Sequence, residues 1–115
     1  MSLKEKIKAA DDIKKKLVSV PEWEVEIEVR TMTGTQRAMA LDVSMDDKGN
    51  VIHQVFHREL IKACCYDPET GEKVFDDGDN EWMMDKNSAS IQTLVQAAMG
   101  VSGLSPGAGA EAEKN

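Results

Sequence analysis

The sequence feature that most constrains the fold is the alternating run Trp23–Arg30, WEVEIEVR. Its odd positions carry large apolar side chains, and its even positions carry glutamates up to residue 28. Successive side chains of a β-strand point to opposite faces of a sheet, so a period of two predicts a strand. We expect one face of this strand to be buried and the other to be acidic.

A second strand is predicted just before this run. The β-branched Val18 and Val20 end at a Pro21-Glu22 break, after which the alternation begins. Two such runs separated by a short break are typical of an antiparallel hairpin, which we place over residues 13–30. We expect its acidic face to lie opposite Lys14 and Lys16, because opposite charges pair favourably across a ladder.

Helical patterns follow and precede the hairpin. A capping serine predicts a short helix over residues 2–10, and Thr33 is a candidate N-cap for a helix over 34–44. Apolar residues at three- and four-residue steps predict a helix over 51–65, and a helical turn is expected over 79–85. The last helix begins at an Asn87 or Ser88 cap and carries a full apolar stripe, formed by Ile91, Leu94, Val95, Ala98 and Met99.

These elements predict an α+β fold in which an N-terminal β-hairpin packs against about four or five α-helices. A chain of 115 residues has room for one domain, which we place at residues 1–104. The end of the chain, residues 105–115, is small, polar and rich in glycine. We expect this segment to be a disordered, flexible tail.

Charge and hydropathy exclude two classes of partner. The chain has 14 Lys+Arg against 21 Asp+Glu, a formal net charge of −7. Nucleic-acid binding needs a basic face, so no nucleic-acid partner is expected. No apolar run approaches the ~20 residues of a membrane span, and the N-terminus lacks a signal-peptide pattern. We therefore expect a soluble, intracellular protein with no membrane partner.

The charges are also segregated along the chain. Residues 2–16 contain six lysines and three acidic residues, whereas residues 67–85 contain eight acidic residues and one lysine. This asymmetry fits a contact between the two regions, either within one molecule or between self-associating copies. Two solvated faces with no partner explain it equally well.

Residues capable of catalysis or metal binding are sparse. His53, His57 and Cys64 fall within a narrow arc of the predicted helix, which is the geometry of a three-ligand metal site or of a thiol with a histidine base. No second paired motif accompanies them, and amphipathic residues are also normal at a core boundary. The acidic loop does not match calcium-loop spacing. We predict a non-enzymatic protein with no metal and no cofactor.

Methionine and tryptophan provide the candidate partner-binding residues. Seven methionines are many for this length, and they suit either an adaptable binding surface or a core that lacks aromatic residues. Three consecutive large apolar side chains, Trp82, Met83 and Met84, cannot all face one core. We predict that these residues and Met99 contact a partner, together with the exposed side of residues 88–103.

Four segments resemble a known family. They are SLKEKIKAADDI at 2–13, VPEWEVEIEVRTMTG at 20–34, CCYDPETGEKVF at 64–75 and SASIQTLVQAAMGVSGL at 88–104. In this order they are similar to the small tail assembly chaperones of long-tailed phages and prophages. The Pro-Glu-Thr-Gly turn and the closing Ser-Gly-Leu are the most distinctive parts. The resemblance covers residues 2–104 and carries over no functional residue.

The resemblance implies a protein of phage morphogenesis that acts in the host cytoplasm. Such chaperones bind the tape measure protein and help to recruit tail tube subunits around it. The family is often made in two lengths through a ribosomal frameshift, and the tail at 105–115 would suit that junction. The alternative is a structural minor tail component retained in the virion. Mass spectrometry of purified virions separates the two, because a chaperone should be absent.

Overall fold

The alternating run forms the central strand of a small sheet in the computed structural model, which describes residues 1–104. The predicted disordered tail at 105–115 therefore lies outside the described residues. Strand β1 (Lys15–Val20) pairs antiparallel with strand β2 (Val25–Arg30), which confirms the predicted hairpin.

The second strand of the hairpin begins two residues later than its alternation indicates. Pro21–Trp23 forms a 3-10 turn, and Glu24 ends this turn in the left-handed region with a φ of 54°. Proline fixes φ near the value that a helical turn requires, so Pro21 starts a turn that takes Trp23 out of the strand. Trp23 therefore lies at the tip of the hairpin.

The register of the hairpin corrects the predicted charge pairing. Glu26 lies opposite Ser19 and Glu28 opposite Leu17, whereas Lys16 lies opposite Val29. Residues that face each other in an antiparallel ladder share one side of the sheet, and a shift of one residue exchanges the sides. The expected pairing of the glutamates with Lys14 and Lys16 is therefore wrong. Glu28 instead accepts a hydrogen bond of 2.6 Å from the Nε of Arg30.

A third strand was not predicted. Strand β3 (Cys65–Tyr66) pairs antiparallel with β2, which gives the order β1-β2-β3. The predicted helix over 51–65 therefore ends one residue early. The Arg30 guanidinium lies 3.9 Å from the centroid of the Tyr66 ring on the outer side of the sheet, where it stabilises this short pairing.

Within residues 1–104 the chain forms four α-helices: α1 (Leu3–Ala9), α2 (Gly34–Ser44), α3 (His53–Cys64) and α4 (Ser88–Val101). The predicted caps Ser2, Thr33 and Asn87 all accept backbone hydrogen bonds. The segment expected to be one helical turn consists of two 3-10 turns, Asp77–Glu81 and Met83–Asp85. The fold is α+β, as the sequence indicates.

The core lies between the inner side of the sheet and helices α3 and α4. Its buried apolar residues from these elements are Val18, Val20, Ile27, Val29, Leu60, Ile61, Ile91, Leu94, Val95 and Ala98. The end of α4 is fastened to the end of β2 by two hydrogen bonds. The Thr31 hydroxyl donates to the Val101 carbonyl at 2.9 Å, and the Met32 amide donates to the Ser102 hydroxyl at 3.1 Å.

Helix α2 packs through small side chains rather than through its larger apolar ones. Ala40 and Ser44 are buried, whereas the side chains of Met39 and Val43 are exposed. Small residues at a helix contact let the two axes approach closely, which explains why α2 turns this side towards α3. As a result, α2 presents an apolar outer side to solvent.

Candidate functional site

An apolar groove opens between the tip of the hairpin and the segment 67–86. Its volume is about 1040 Å³. The hairpin wall is formed by Leu17, Trp23 and Val25, and the facing wall by Val74, Phe75 and Trp82. The groove joins two parts of the chain, residues 17–27 and 67–86, that are at least forty residues apart in sequence.

Several groove side chains are exposed although they are large and apolar. The exposed fractions are 57% for Leu17, 44% for Val25 and 47% for Trp82. Single exposed apolar residues are ordinary on protein surfaces, but several that line one concavity are typical of a binding site for an apolar ligand. The groove is therefore our candidate functional site.

Trp82 has a fixed orientation in the facing wall. Its indole Nε1 donates a hydrogen bond to the Asp79 Oδ1 at 3.0 Å. Its ring is tilted against Phe75, with 6.2 Å between the ring centroids, and Phe75 is itself buried. Because both its polar edge and one apolar side are already bound, Trp82 presents its remaining ring surface without losing much conformational entropy when a ligand binds.

Lys62 of α3 fastens this wall to the body of the protein. The Lys62 Nζ donates hydrogen bonds to Asp77 Oδ1 at 2.6 Å, to Asn80 Oδ1 at 2.9 Å and to Glu59 Oε2 at 3.1 Å. Burial lowers the pKa of Lys62, but the hydrogen bonds to Asp77 and Glu59 outweigh burial, so the pKa is raised overall. Lys62 is therefore charged at neutral pH and anchors the 3-10 turn that precedes Trp82.

The hairpin wall has an anchor of its own. The buried Ser90 hydroxyl, in the first turn of α4, donates a hydrogen bond of 3.1 Å to Glu22 Oε2. Glu24, two residues on, adopts the left-handed conformation that residues other than glycine seldom take. This conformation turns the chain so that Val25 enters β2 beside the groove.

The rim of the groove is acidic. Five carboxylate residues line it, Glu22, Glu24, Glu26, Asp67 and Glu69. Among the described residues that line the groove, Lys86 provides the one basic side chain. Clustered charges of one sign beside apolar walls create a potential that attracts the opposite charge. The groove therefore suits an apolar ligand that carries basic groups at its edges.

The four residues predicted from the sequence to bind a partner lie in different environments. Trp82 is on the groove wall and is exposed, whereas Met83 is only 1% exposed and belongs to the core. Met84 and Met99 are half-buried against the core. Their contact with a partner stays a prediction, and of the four Trp82 offers the most surface. The solvent-facing positions of α4 carry Gln92, Thr93 and Gln96, which are polar.

Sequence reasoning missed the other apolar groove residues. Val25 belongs to the alternating run, so it was assigned to the buried face, but it forms the last pair of the ladder, next to the turn of the hairpin, and is exposed there. Leu17 stands next to Lys15 and Lys16 and gave no separate signal. Leu17 alternates with Val18 and Val20, which form the inner face of the strand. This alternation was the available indication that Leu17 points outwards.

The sequence left open whether the methionines form an adaptable binding surface or fill a core that lacks aromatic residues, and the structure places them both at the surface and in the core. Met32 and Met83 fill the core, whereas Met39 and Met45 are exposed on and just after α2. Methionine therefore acts both as core filler and as exposed apolar surface in this chain.

The three candidate metal ligands are not brought together. The rings of His53 and His57 lie 6.2 Å apart between centroids and almost perpendicular, and Cys64 is fully buried in the core. Burial, and then the charge of His53, lower the pKa of His57. Within residues 1–104, no three His, Cys, Asp or Glu side chains cluster in a way that could bind a metal ion.

No α-helix in the described part of the chain is both long enough and apolar enough to cross a membrane.

The fold and the groove define a small α+β protein with an exposed, acidic-rimmed apolar site. The sequence matches no protein-family model and no curated protein. Among solved structures, the fold is similar to that of the bacteriophage HK97 tail assembly chaperone, with a TM-score of 0.59 and 17% sequence identity. The match covers 84% of this chain and 90% of that one. The similarity establishes a shared fold with a phage tail assembly chaperone.

Proposed function

We propose that this chain is a non-enzymatic tail assembly chaperone of a long-tailed phage or prophage. The observation that carries the proposal is the exposed apolar groove, found on a fold similar to that of a tail assembly chaperone. A chaperone of this kind must expose apolar surface to bind a client and must stay in solution while it does so. The carboxylates around the groove meet the second requirement, because charge close to apolar surface opposes self-aggregation.

The client that we propose is the tape measure protein, a long helical protein that aggregates when it is alone. A groove with two apolar walls accepts the apolar ridge of an amphipathic helix, the arrangement found in many helix-in-groove complexes. The acidic rim selects helices whose apolar ridge is flanked by lysine or arginine. Binding covers the ridge until tail tube subunits, recruited in the host cytoplasm, assemble around the tape measure protein.

The first test is coexpression with the tape measure protein of the same phage or prophage. We expect the wild-type chain to keep the tape measure protein soluble and to co-purify with it. The double variant Trp82→Ser/Val25→Ser removes apolar surface from both walls and should reduce the co-purified amount at least about tenfold, the equivalent of roughly 1.4 kcal/mol. Met83 is left intact, because its substitution would damage the core.

The matched control is Met39→Ser. Met39 is 63% exposed, more than Trp82, but it lies on α2 and does not line the groove. This variant should co-purify as the wild type does. Equal co-purification by the folded groove variant, or equal losses in both variants, would contradict the assignment of the client site to the groove.

A further inference from the structure

The sequence contains one Asp–Gly pair, Asp77–Gly78, and no Asn–Gly pair. In such a pair the backbone nitrogen of the glycine can attack the side-chain carboxyl carbon of the aspartate without any enzyme. Glycine has no Cβ, so its nitrogen is unhindered and its backbone is free to rotate. The pair lies in the 3-10 turn Asp77–Glu81, which precedes Trp82 in the groove wall. The Asp77 side chain is 95% exposed, so water has free access to it.

We propose that Asp77 is the site at which this chain forms isoaspartate, and that the Lys62 ammonium group restrains the reaction. The Gly78 nitrogen forms a bond to the Asp77 Cγ, and the amide proton leaves with the carboxyl hydroxyl group as one molecule of water. The product is a five-membered succinimide ring. Water then adds to the main-chain carbonyl carbon of the ring, which opens the ring and leaves the backbone running through Cγ. Water is lost and regained, so the reaction needs no other reactant.

Lys62 holds the carboxyl group of Asp77 in its unreactive form. The Lys62 Nζ donates a hydrogen bond of 2.6 Å to the Asp77 Oδ1. This bond, and then the charge of Lys62, lower the pKa of Asp77. An ionised carboxylate is a poor target for an amide nitrogen, because its carbon is electron-rich and it has no hydroxyl group to release. Loss of the Lys62 ammonium group should therefore increase the reactive, protonated fraction of Asp77.

The turn also restrains the attacking nitrogen. The Gly78 amide donates a hydrogen bond of 2.9 Å to the Asp76 Oδ1, as part of the capping box that begins the turn. This bond must break before the Gly78 nitrogen can approach the Asp77 Cγ. The Lys62 Nζ also donates a hydrogen bond of 2.9 Å to the Asn80 Oδ1, so one lysine holds two residues of the turn. Without these bonds the turn should open more often.

A second position in the chain could form the same ring. Asn87 precedes the small residue Ser88, and an asparagine side chain cyclises with loss of ammonia in place of water. The Asn87 Oδ1 accepts hydrogen bonds from the amides of Ala89 at 2.9 Å and Ser90 at 3.1 Å. Ring closure there would break the first turn of α4, which packs against the core, whereas the turn at Asp77 contains no buried residue. We therefore expect Asp77 to react before Asn87.

Isoaspartate at position 77 would break the contact with Lys62. The backbone between residues 77 and 78 becomes one atom longer, and the free carboxylate is attached directly to Cα, one carbon shorter than before. The turn then loses its bond to α3, and the wall that carries Trp82 should loosen as the protein ages. The inference concerns the chain by itself and does not rest on the proposed function.

Peptide mapping of the purified full-length protein after incubation tests the proposal. Trypsin cleaves after Lys73 and Lys86, so residues 74–86 form one peptide, in which electron-transfer fragmentation distinguishes isoaspartate from aspartate. At about pH 6 and about 37 °C, we expect isoaspartate at Asp77 to form at least about fivefold faster in Lys62→Met than in the wild type. Methionine keeps the apolar stem of Lys62 and removes its ammonium group. Equal rates in the two proteins, or modification at Asn87 before Asp77, would overturn the proposal.

Two further variants separate the effect of Lys62 from a general loss of stability. Ala40→Gly weakens α2, in which Ala40 is buried, and leaves the turn intact, so isoaspartate should form at the wild-type rate. Acceleration as large as that in Lys62→Met would assign the effect to global unfolding and contradict a restraint by Lys62. Gly78→Ala adds a Cβ beside the attacking nitrogen, 3.1 Å from the Asp76 Oδ1, and should slow the reaction at least about fivefold. An unchanged rate in Gly78→Ala would contradict attack by the Gly78 nitrogen.

Discussion

The two cysteines lie at the junction of α3 and β3, and both side chains are fully buried. Burial raises the pKa of the Cys64 thiol to about 11, although a hydrogen bond with Ser102 and the charge of Lys73 lower it. Burial, and then the neighbouring Cys64, also raise the pKa of Cys65. A thiol with such a pKa is almost entirely protonated at neutral pH, which argues against Cys64 as a nucleophile.

Thiol modification tests this environment. At pH 7.5, Ellman's reagent should modify both cysteines of the folded protein at least about 100-fold more slowly than in urea, because the thiolate fraction falls tenfold per pKa unit. Both folded-state pKa values exceed the unfolded value of about 8.5. The stability contributed by the neutral Cys64 thiol is therefore complete below about pH 8.5 and is lost as the pH rises through about 11. Rapid modification of Cys64 in the folded protein at pH 7.5 would show an accessible thiolate instead.

At the scale of the elements, the groove walls depend on bonds between segments that are distant in sequence. Ser90 of α4 holds the turn at Glu22, and Lys62 of α3 holds the 3-10 turn that contains Asp77 and Asn80. The Lys62 side chain is buried, so its hydrogen bonds are weakly screened by solvent, whereas Asp77 is exposed. The buried Lys62 ammonium is therefore one anchor of the wall that carries Trp82, beside the buried Phe75 and Met83.

Replacement of this cation should loosen the wall. Lys62→Ala removes three side-chain hydrogen bonds, and we expect the free energy of unfolding to fall by about 1–2 kcal/mol, measured by urea denaturation. Lys48→Ala is the control, because Lys48 is exposed and its backbone amide, not its side chain, bonds to Asp46. The control should change stability by less than about 0.5 kcal/mol. Equal effects of the two substitutions would mean that Lys62 does not anchor the turn.

Local signals in the sequence predict most elements of this fold. The Thr33 cap fixes the start of α2, the Asn87 cap and the apolar stripe fix α4, and the alternating run fixes β2. Each of these signals lies within a few residues of the element that it specifies. Residues 77–85 form two 3-10 turns in place of the predicted helical turn, and the first of them begins with a capping box at Asp76 and Asp79.

The features that sequence reasoning missed depend on contacts over long distances. Two residues, Cys65 and Tyr66, are too few for a strand pattern, and they pair with β2 only because α3 delivers them beside it. The register that places Glu28 opposite Leu17 is likewise set by the turn at Pro21, and not by attraction between the glutamates and the lysines. The groove was missed for the same reason, because its walls come from residues 17–27 and 67–86. Trp82 was found because three adjacent large apolar residues are a local signal.

At the scale of the whole molecule, the segregated charges gain a structural meaning. Part of the acidic region borders the groove, and the basic N-terminal region carries the exposed helix α1. The net charge of −7 is therefore unevenly distributed, with an excess of carboxylates at the groove and an excess of lysines in the N-terminal region. The outer side of α2 is a separate exposed apolar surface, so substitutions there are the control for substitutions in the groove.

Amide hydrogen exchange of the complex co-purified with the tape measure protein measures directly whether the groove binds a client helix. Exchange of the backbone amides at residues 22–27 and 74–86 should slow by at least about tenfold relative to the free chain, because local opening there is opposed by the bound helix. Exchange at residues 38–48, on and after α2, should not change. A complex whose protection lies on α2 and leaves the groove segments unchanged would contradict the account.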